Sequence, residues 1–450
     1  MPLPAGHSGN PLNPRIVANQ QRTLLGLLAQ VLPHLERDSA LPRRIKDLLG
    51  RHRAFGSRDR RLYRELIYTA IRYLPWVQPL LASDENRATQ LIAWLAPELK
   101  ETTGFRAALL ADWPPTPPTL AEKSAVLRAR FTAIRPIHPR AAGAGGAEAA
   151  TPARAADAAP FESSALLPAW LRAECPAVFA SPHLDALLAR APLWVRLQTQ
   201  DHAMVLDEFK RRGWAARASA ELPDAFALPP NAEVAGSDAY RRGFVEIQDL
   251  GSQLVLAHAP IATGQIWLDA CAGAGGKTLQ LAHGVGEIGR VDASDIRTGT
   301  LEELRDRAAR ARLANVRITH PGAAARSGYD GVLVDAPCSG TGTWRRLPHM
   351  KWFTKPETLA EFATLQRQIL REQAPRVKPG GVLVYATCSL TRTENHEVAA
   401  AFLAQQSDFS AERPARDFGG VCDGLGTTLL PGTRDSDGFY VAIFRRTAAA

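Results

Sequence analysis

Two cysteines stand where apolar runs break into small residues. Cys338 lies in Asp335-Ala336-Pro337-Cys338-Ser339-Gly340-Thr341-Gly342, directly after Gly331-Val332-Leu333-Val334. Cys388 lies in Tyr385-Ala386-Thr387-Cys388-Ser389-Leu390, after Gly381-Val382-Leu383-Val384. Each apolar run reads as a buried strand, and each break as a loop leaving that strand's end. A thiolate is a strong nucleophile that forms covalent intermediates, and a carboxylate such as Asp335 can hold or move a proton. Two thiols and a carboxylate at the ends of two strands of one sheet mark a candidate reactive site.

A third loop, Cys271-Ala272-Gly273-Ala274-Gly275-Gly276-Lys277-Thr278, follows the strand-like Ile266-Trp267-Leu268-Asp269. As a dinucleotide fingerprint beginning at Gly273 it places Thr278 where the third glycine belongs. As a phosphate-binding loop it has Gly276-Lys277-Thr278 in place, but Cys271 stands at the first glycine. The remaining reading is S-adenosylmethionine. Glycines after a first strand let the backbone approach the ligand's amino acid and sugar. Asp295, about twenty residues on at the end of the next strand, can accept from both ribose hydroxyls. The candidate contacts are Cys271 (through its backbone), Ala272, Gly273, Ala274, Gly275, Gly276 and Lys277, with Asp295 and Asp335.

The elements that must carry these loops alternate. Strands are expected at Ile266–Asp269, Arg290–Asp295, Val316–Thr319, Gly331–Asp335, Gly381–Thr387 and Gly438–Phe444, with helices after the glycine loop and over Leu301–Leu313. Such alternation implies a parallel sheet with helices on both faces, whose ligands sit at the carboxyl ends of the strands. Asp269, Asp295, Asp335, Cys338 and Cys388 all fall there.

The earlier part of the chain reads differently. Residues 1–16, rich in Pro and Gly, are expected to be a loose tail. Apolar residues then recur at helical spacing, and an all-α domain is expected over 17–131, with Ser57 capping one of its helices. Residues 132–160, rich in Ala, Pro and Gly, read as a flexible linker. Leu193–Leu197 reads as a strand and Met204–Gly213 as a helix, which predicts a small α/β module over 161–240, and Phe244–Gln248 reads as a further strand just after it. The catalytic domain is expected over 241–447.

Length and composition set bounds. A chain of 450 residues exceeds a single core. The net charge of +9 is carried mostly by arginine, which pairs with phosphate in bidentate fashion, so a polyanionic partner is compatible. Five cysteines, an odd number without a C-x-x-C pair, argue against a disulfide framework and against a zinc site, so no metal is expected. The opening residues lack a basic start followed by an apolar core, and no run of about 18 apolar residues occurs. A cytoplasmic location and no membrane contact are therefore expected.

The two cysteine segments resemble the paired motifs of the Nop/Sun RNA cytosine-5 methyltransferases. The likeness extends to Glu394-Asn395, Asp437-Gly438-Phe439-Tyr440, Gly243–Asp249 and Pro192–Arg196. The segment Phe55–Arg72 is similar to the NusB-like domain that opens the family's bacterial small-subunit rRNA enzymes. The chain departs from the family at Ala274, where a proline is usual. It departs again at His320-Pro321-Gly322-Ala323, where an aspartate near the adenine is usual, and at Thr300 and Arg307. The resemblance implies an N-terminal all-α NusB-like domain, a small α/β RNA-binding module and a C-terminal Rossmann-like methyltransferase sheet. It also implies S-adenosylmethionine as methyl donor, structured RNA (rRNA first) as partner, and a monomer.

The same resemblance assigns roles. Cys388 is the nucleophile that adds to carbon-6 of cytosine, and Cys338 assists product release. Asp335 engages the N3/amino edge of the ring. Lys277 holds the base or the methionine carboxylate and, being cationic, would favour a thiolate. Cys175 and Cys422 read as core filler. Trp344-Arg345-Arg346 and Lys351-Trp352 could stack on bases and hold phosphates, or equally form a packed loop. Four other readings stay open: a tRNA enzyme, a DNA cytosine methyltransferase attacking through Cys338, a catalytically silent assembly factor, and a nicotinamide oxidoreductase, the last disfavoured by Thr278.

Overall fold

The computed structural model describes residues 13–131, 160–319, 327–414, 416 and 418–448. The chain divides into two compact units, Met1–Ala169 and Trp170–Ala450. The linker expected at 132–160, apart from its last residue, and the His320–Ala323 segment lie outside the described residues.

The first unit is all helical among its described residues, with α-helices at Pro14–Val31, Leu41–Arg51, Ser57–Arg72, Leu74–Ser83, Glu85–Leu95, Thr103–Leu109 and Leu120–Phe131. The first begins earlier than the composition suggested. Asn13 caps it, accepting from the Arg15 amide at 2.9 Å, and Pro14 occupies a position that needs no amide proton. Residues 14–16 are therefore helix, not tail. Ser57 is the first residue of its helix rather than the cap. The cap is Gly56, whose amide donates to the Asp59 carboxylate at 3.0 Å. Leu24, Leu27, Leu66, Ile67, Leu91 and Ile92 are buried at helical spacing. Trp113 and Phe131 are 6.0 Å apart between ring centroids, and Phe161 packs on Phe131 at 5.3 Å.

The second unit holds two sheets. The smaller is antiparallel, with strands β1 (Leu193–Leu197), β2 (Arg217–Ala218), β3 (Ala225–Leu228) and β4 (Val245–Ile247) in the order β2-β3-β1-β4. The larger has nine strands: β5 (Ile266–Asp269), β6 (Arg290–Ala293), β7 (Val316–Ile318), β8 (Tyr329–Asp335), β9 (Val377–Thr387), β10 (Phe409–Glu412), β11 (Val421–Cys422), β12 (Gly426–Leu429) and β13 (Phe439–Arg446). Their order is β11-β12-β13-β9-β8-β5-β6-β7, with β10 also on β13.

Only one side of this sheet is the expected parallel one. β7, β6, β5, β8 and β9 pair in parallel, whereas β13 runs antiparallel to β9, β10 and β12. The sheet is mixed. β12 reaches β13 through a short connection without the long crossover that parallel pairing requires. The central strands read as continuous apolar runs because both faces are covered: Val332, Val334, Leu383, Val384 and Tyr385 are fully buried. Gly331 is required where β8 crosses β5, since a Cβ there would lie 2.4 Å from the Trp267 ring. Overpacking of that kind costs about 1–3 kcal/mol.

β8 leaves β5 on the side opposite β6. Loops at the carboxyl ends of β5 and β8 therefore diverge and open a crevice between them. No helix among the described residues is long and apolar enough to cross a membrane.

Candidate active site

The crevice is a cavity of about 1100 Å³. The glycine loop after β5, Asp295 after β6, the Asp335–Cys338 segment after β8 and Cys388 after β9 all line it. Of the catalytic and cofactor-binding candidates, Gly275 alone is not on its lining. With φ +91°, it packs against Leu304, and a Cβ there would lie 2.1 Å from that side chain.

At the β8 and β9 end the two thiols meet. Cys338 Sγ and Cys388 Sγ are 3.3 Å apart, and both cysteines are free. The Cys338 thiol is pushed well above its usual range by its hydrogen bond with Cys388, then by burial, and further by the nearby Glu394 charge. The loops are joined at the backbone: the Gly342 amide donates to the Cys388 carbonyl at 2.9 Å, and the Gly438 amide to the Gly342 carbonyl at 2.9 Å. A Cβ at Gly342 would lie 2.1 Å from the Gly438 carbonyl oxygen.

Lys277, on the first turn of the helix Gly276–Val285, donates from Nζ to Asp335 Oδ2 at 2.9 Å and lies 4.8 Å from the Phe439 ring centroid. Its side chain is 7% exposed and that of Asp335 is 31% exposed. The ammonium is thus committed to Asp335 rather than to a sulfur, and the pair points one carboxylate into the cavity beside the thiols.

At the β5 and β6 end the polar groups belong mainly to the backbone and to carboxylates. Gly273, with φ +51°, donates its amide to Asp295 Oδ2 at 2.8 Å. Arg297 closes on the same carboxylate with its amide at 2.8 Å and its Nε at 3.0 Å. Burial raises the Asp295 carboxyl, but the bonds from Arg297 and Gly273 outweigh it and leave the group below its usual range. Asp269 accepts from Thr278 Oγ1 at 2.7 Å, while its Oδ1 is buried without a partner. Burial pushes its carboxyl up to about 7, and the Asp335 charge adds to the shift.

The loop carries Ala274 where the resemblance led to a proline, and a side chain braces it. Arg307 Nη1 donates to the Ala274 carbonyl at 2.7 Å, and Arg307 Nη2 pairs with the buried Glu246 of β4 at 2.9 Å. Thr278, the residue that excluded a dinucleotide fingerprint, anchors the helix start to Asp269.

Several groups carry more than the sequence suggested. Asp292 lines the cavity and accepts from Tyr329 Oη at 2.8 Å. Ile296 is 85% exposed on the cavity wall beside Asp295. Glu394, noted only as part of a motif, is fully buried beneath both thiol loops. Of the two readings of the following loop, the packed one holds: Trp344, Arg345 and Lys351 are buried and cannot stack on bases as an open face would. Arg345 bonds the Ser436 carbonyl at 2.9 Å and Asp435 at 2.6 Å, and Arg346 links Asp249 and Asp437 at 2.5 and 2.7 Å. This is a packed loop. Cys422 is exposed on β11 and fills no core, whereas Cys175 is buried as expected. No cluster able to hold a metal ion occurs among the described residues.

Comparison with known proteins agrees with this architecture. Residues 256–445 match the family model for 16S rRNA methyltransferase RsmB/F. Ribosomal RNA small subunit methyltransferase B of Xylella fastidiosa is 35% identical over 289 residues, covering 62% of this chain and 68% of that protein. The chain belongs to the RsmB/F family. The protein of the same description from Vibrio cholerae is 33% identical over 270 residues, covering 58% of this chain and 61% of its own length, so the match spans about three fifths of that relative. Among solved structures, that of NSun6 from Pyrococcus horikoshii with SFG superposes with a TM-score of 0.57 at 16% identity, covering 62% of this chain and 97% of that one. The RsmB/F fold is therefore the fold of the second unit, with the thiol pair, the Lys277–Asp335 pair and the glycine loop facing one cavity.

Proposed function

We propose that the chain methylates carbon-5 of a cytosine in structured RNA, with S-adenosylmethionine as methyl donor. The observation that carries this reading is the thiol pair, with sulfurs 3.3 Å apart, on the same cavity as the glycine loop and the Lys277–Asp335 pair.

The residues present fit the donor. The Asp295 carboxylate, the turned backbone at Gly273 and the open apolar face of Ile296 offer polar and apolar contacts in a cavity of suitable size. Asp295 and the backbone at Gly273, Ala274, Gly276 and Lys277 would hold its sugar and amino acid. When bound, it supplies an electrophilic methyl group on a sulfonium.

The chain's own residues do the rest. Cys388 Sγ adds to carbon-6 of the ring, and the carbon-5/carbon-6 π electrons make carbon-5 nucleophilic. Asp335, steadied by Lys277, hydrogen-bonds the N3/amino edge and favours addition. After methylation the carbon-5 proton leaves to a base and the carbon–sulfur bond breaks, returning Cys388. Cys338, whose thiol keeps its proton, assists that elimination. The target base must be unstacked for a thiol to reach its face.

Small-subunit rRNA is the favoured substrate, supported by the description of the family model and of the relatives. An RNA substrate supports a cytoplasmic location, and one chain is taken as the working unit. The helical unit is read as a NusB-like RNA-binding module; the exposed Arg58, Arg60, Arg61 and Arg64 on the helix Ser57–Arg72 support it.

The test is covalent trapping. Incubated with substrate RNA and S-adenosylmethionine, Cys338→Ala is expected to accumulate a protein–RNA adduct, seen as a shifted band on a denaturing gel, and Cys388→Ala to form none. The reverse pattern would exchange the two roles, and no adduct from either variant would remove covalent catalysis.

A further inference from the structure

Below the two sulfurs one carboxylate gathers both loops. Glu394 Oε1 accepts from the Ser339 amide at 2.8 Å and from Gln366 Nε2 at 3.1 Å. Its Oε2 accepts from Ser389 Oγ at 2.7 Å, from Thr391 Oγ1 at 2.9 Å and from Ser339 Oγ. Ser339 directly follows Cys338, and Ser389 directly follows Cys388. The same group thus holds the next residue of each thiol. The Glu394 carbonyl is itself fixed by Tyr385 Oη at 2.6 Å, on the fully buried β9 side chain.

The donors around it are well matched to an ionised group. The Ser339 amide and the Gln366 amide nitrogen can only donate, and an ionised carboxylate is an acceptor only. Ser389 Oγ accepts from the Thr391 amide at 3.1 Å and lies 3.2 Å from Thr341 Oγ1, which in turn accepts from the Leu390 amide at 2.7 Å. Each hydroxyl proton therefore has a place to go. Glu394 is completely buried and lines no part of the cavity, so it touches neither cofactor nor base. Its effect must pass through the loops.

We propose that Glu394 is the positioning residue of the thiol pair, fixing the separation of the Cys338 and Cys388 sulfurs by gripping the residue after each. This rests on the two-thiol reading of the site for its catalytic meaning, but its geometric content does not. A buried charge with five donors is retained only when its surroundings compensate its desolvation, and here they are the two loops themselves. The near approach of the sulfurs is what makes Cys388 the chief cause of the upward shift at Cys338.

A trivalent arsenical tests the geometry without any methylation. Phenylarsine oxide condenses with two nearby thiols, forming two As–S bonds and releasing water, and a pair held at short range keeps it against a monothiol competitor. The intact protein is expected to retain one equivalent by mass spectrometry, and Cys338→Ala none. Glu394→Ala is expected to weaken retention at least tenfold, and Glu394→Gln, which keeps an accepting oxygen for Ser339 and Gln366, to restore it to within about threefold. In single turnover, Glu394→Ala should slow adduct formation at least tenfold while KM for S-adenosylmethionine stays within twofold, a split that general loosening of the fold would not give. If Glu394→Ala does not fold, the Ser339→Ala/Ser389→Ala pair removes the same grip. Undiminished arsenical retention in whichever of these variants folds overturns the proposal, whether or not the chain methylates RNA. Loss of retention with no methylation of any RNA by the intact protein would instead keep the positioning role and remove the function it was thought to serve.

Discussion

The two ends of the cavity are built from different materials. Around Asp295 the polar groups have capacity to spare, since its carboxylate is covered by an Arg297 side chain that is 65% exposed and can move away. Around Cys338 and Cys388 the polar groups are largely spent on one another, with the buried Glu394 taking five donors and every loop hydroxyl engaged, and Gln366 Oε1 beside it left without a partner. Spare hydrogen-bonding capacity suits a ligand that arrives and leaves, because the ligand completes it. Spent capacity suits reagents that must be in place before the ligand comes. The contrast separates holding from reacting within a single pocket.

The contrast can be broken or sharpened in four ways. The largest effect belongs to the reacting end. Cys388→Ala should lower single-turnover methylation at least ~1000-fold, on the order of 4 kcal/mol of barrier, with cofactor binding by calorimetry unchanged. A loss confined to binding would merge the two ends. Next is Asp269. Its carboxyl is raised in the fold to about 7, so the stability it contributes is present below its unfolded value and lost as pH rises through the folded one. Asp269→Asn should therefore gain on the parent protein in urea unfolding between about pH 4 and 7, by an amount on the order of a few kcal/mol that levels off above. A gap independent of pH would mean that the carboxylate is not strained. Third, Asp295→Ala should raise KM for S-adenosylmethionine about 10- to 100-fold with kcat little changed, the mark of lost ground-state binding. A fall in kcat alone would move Asp295 to the reacting end. The smallest change is Arg297→Ala. An exposed ion pair is worth about 0–1 kcal/mol, so cofactor KM should shift by no more than a few fold, and downward if the guanidinium competes with the ribose for Asp295.

Much of the holding end was legible in the sequence. Its strands are short apolar runs flanked by glycine, and its ligands are backbone groups whose positions follow from the loop. Asp295 follows from its distance to that loop. The reacting end was legible only as two motifs. Glu394 in a sequence reads as a surface charge, and nothing local tells that Ser339 and Gln366, distant along the chain, converge on it. The choice between an open and a packed loop at Trp344, Arg345 and Lys351 stayed open for the same reason. Polar and aromatic residues in a loop look exposed until Asp435 and Ser436 are brought over to meet them. The antiparallel side of the sheet was invisible because β10, β11 and β12 are short and largely polar. Cys422 was misread because burial statistics for cysteine carry no information about an edge strand.

The glycine contact at Gly342 has a consequence for how the site comes into being. Three stretches of backbone, at Gly342, Cys388 and Gly438, touch without side chains between them, and the last belongs to the segment that leads into β13. β13 is added between β9 and β12, with Tyr440 paired to Thr387 one residue before Cys388. Both thiols and the whole glycine loop leave the ribosome before that strand does. A nascent chain halted short of Phe439 therefore carries every reactive atom, yet lacks the edge against which the Cys388 loop is set. The site is finished last, by a strand that contributes no reagent.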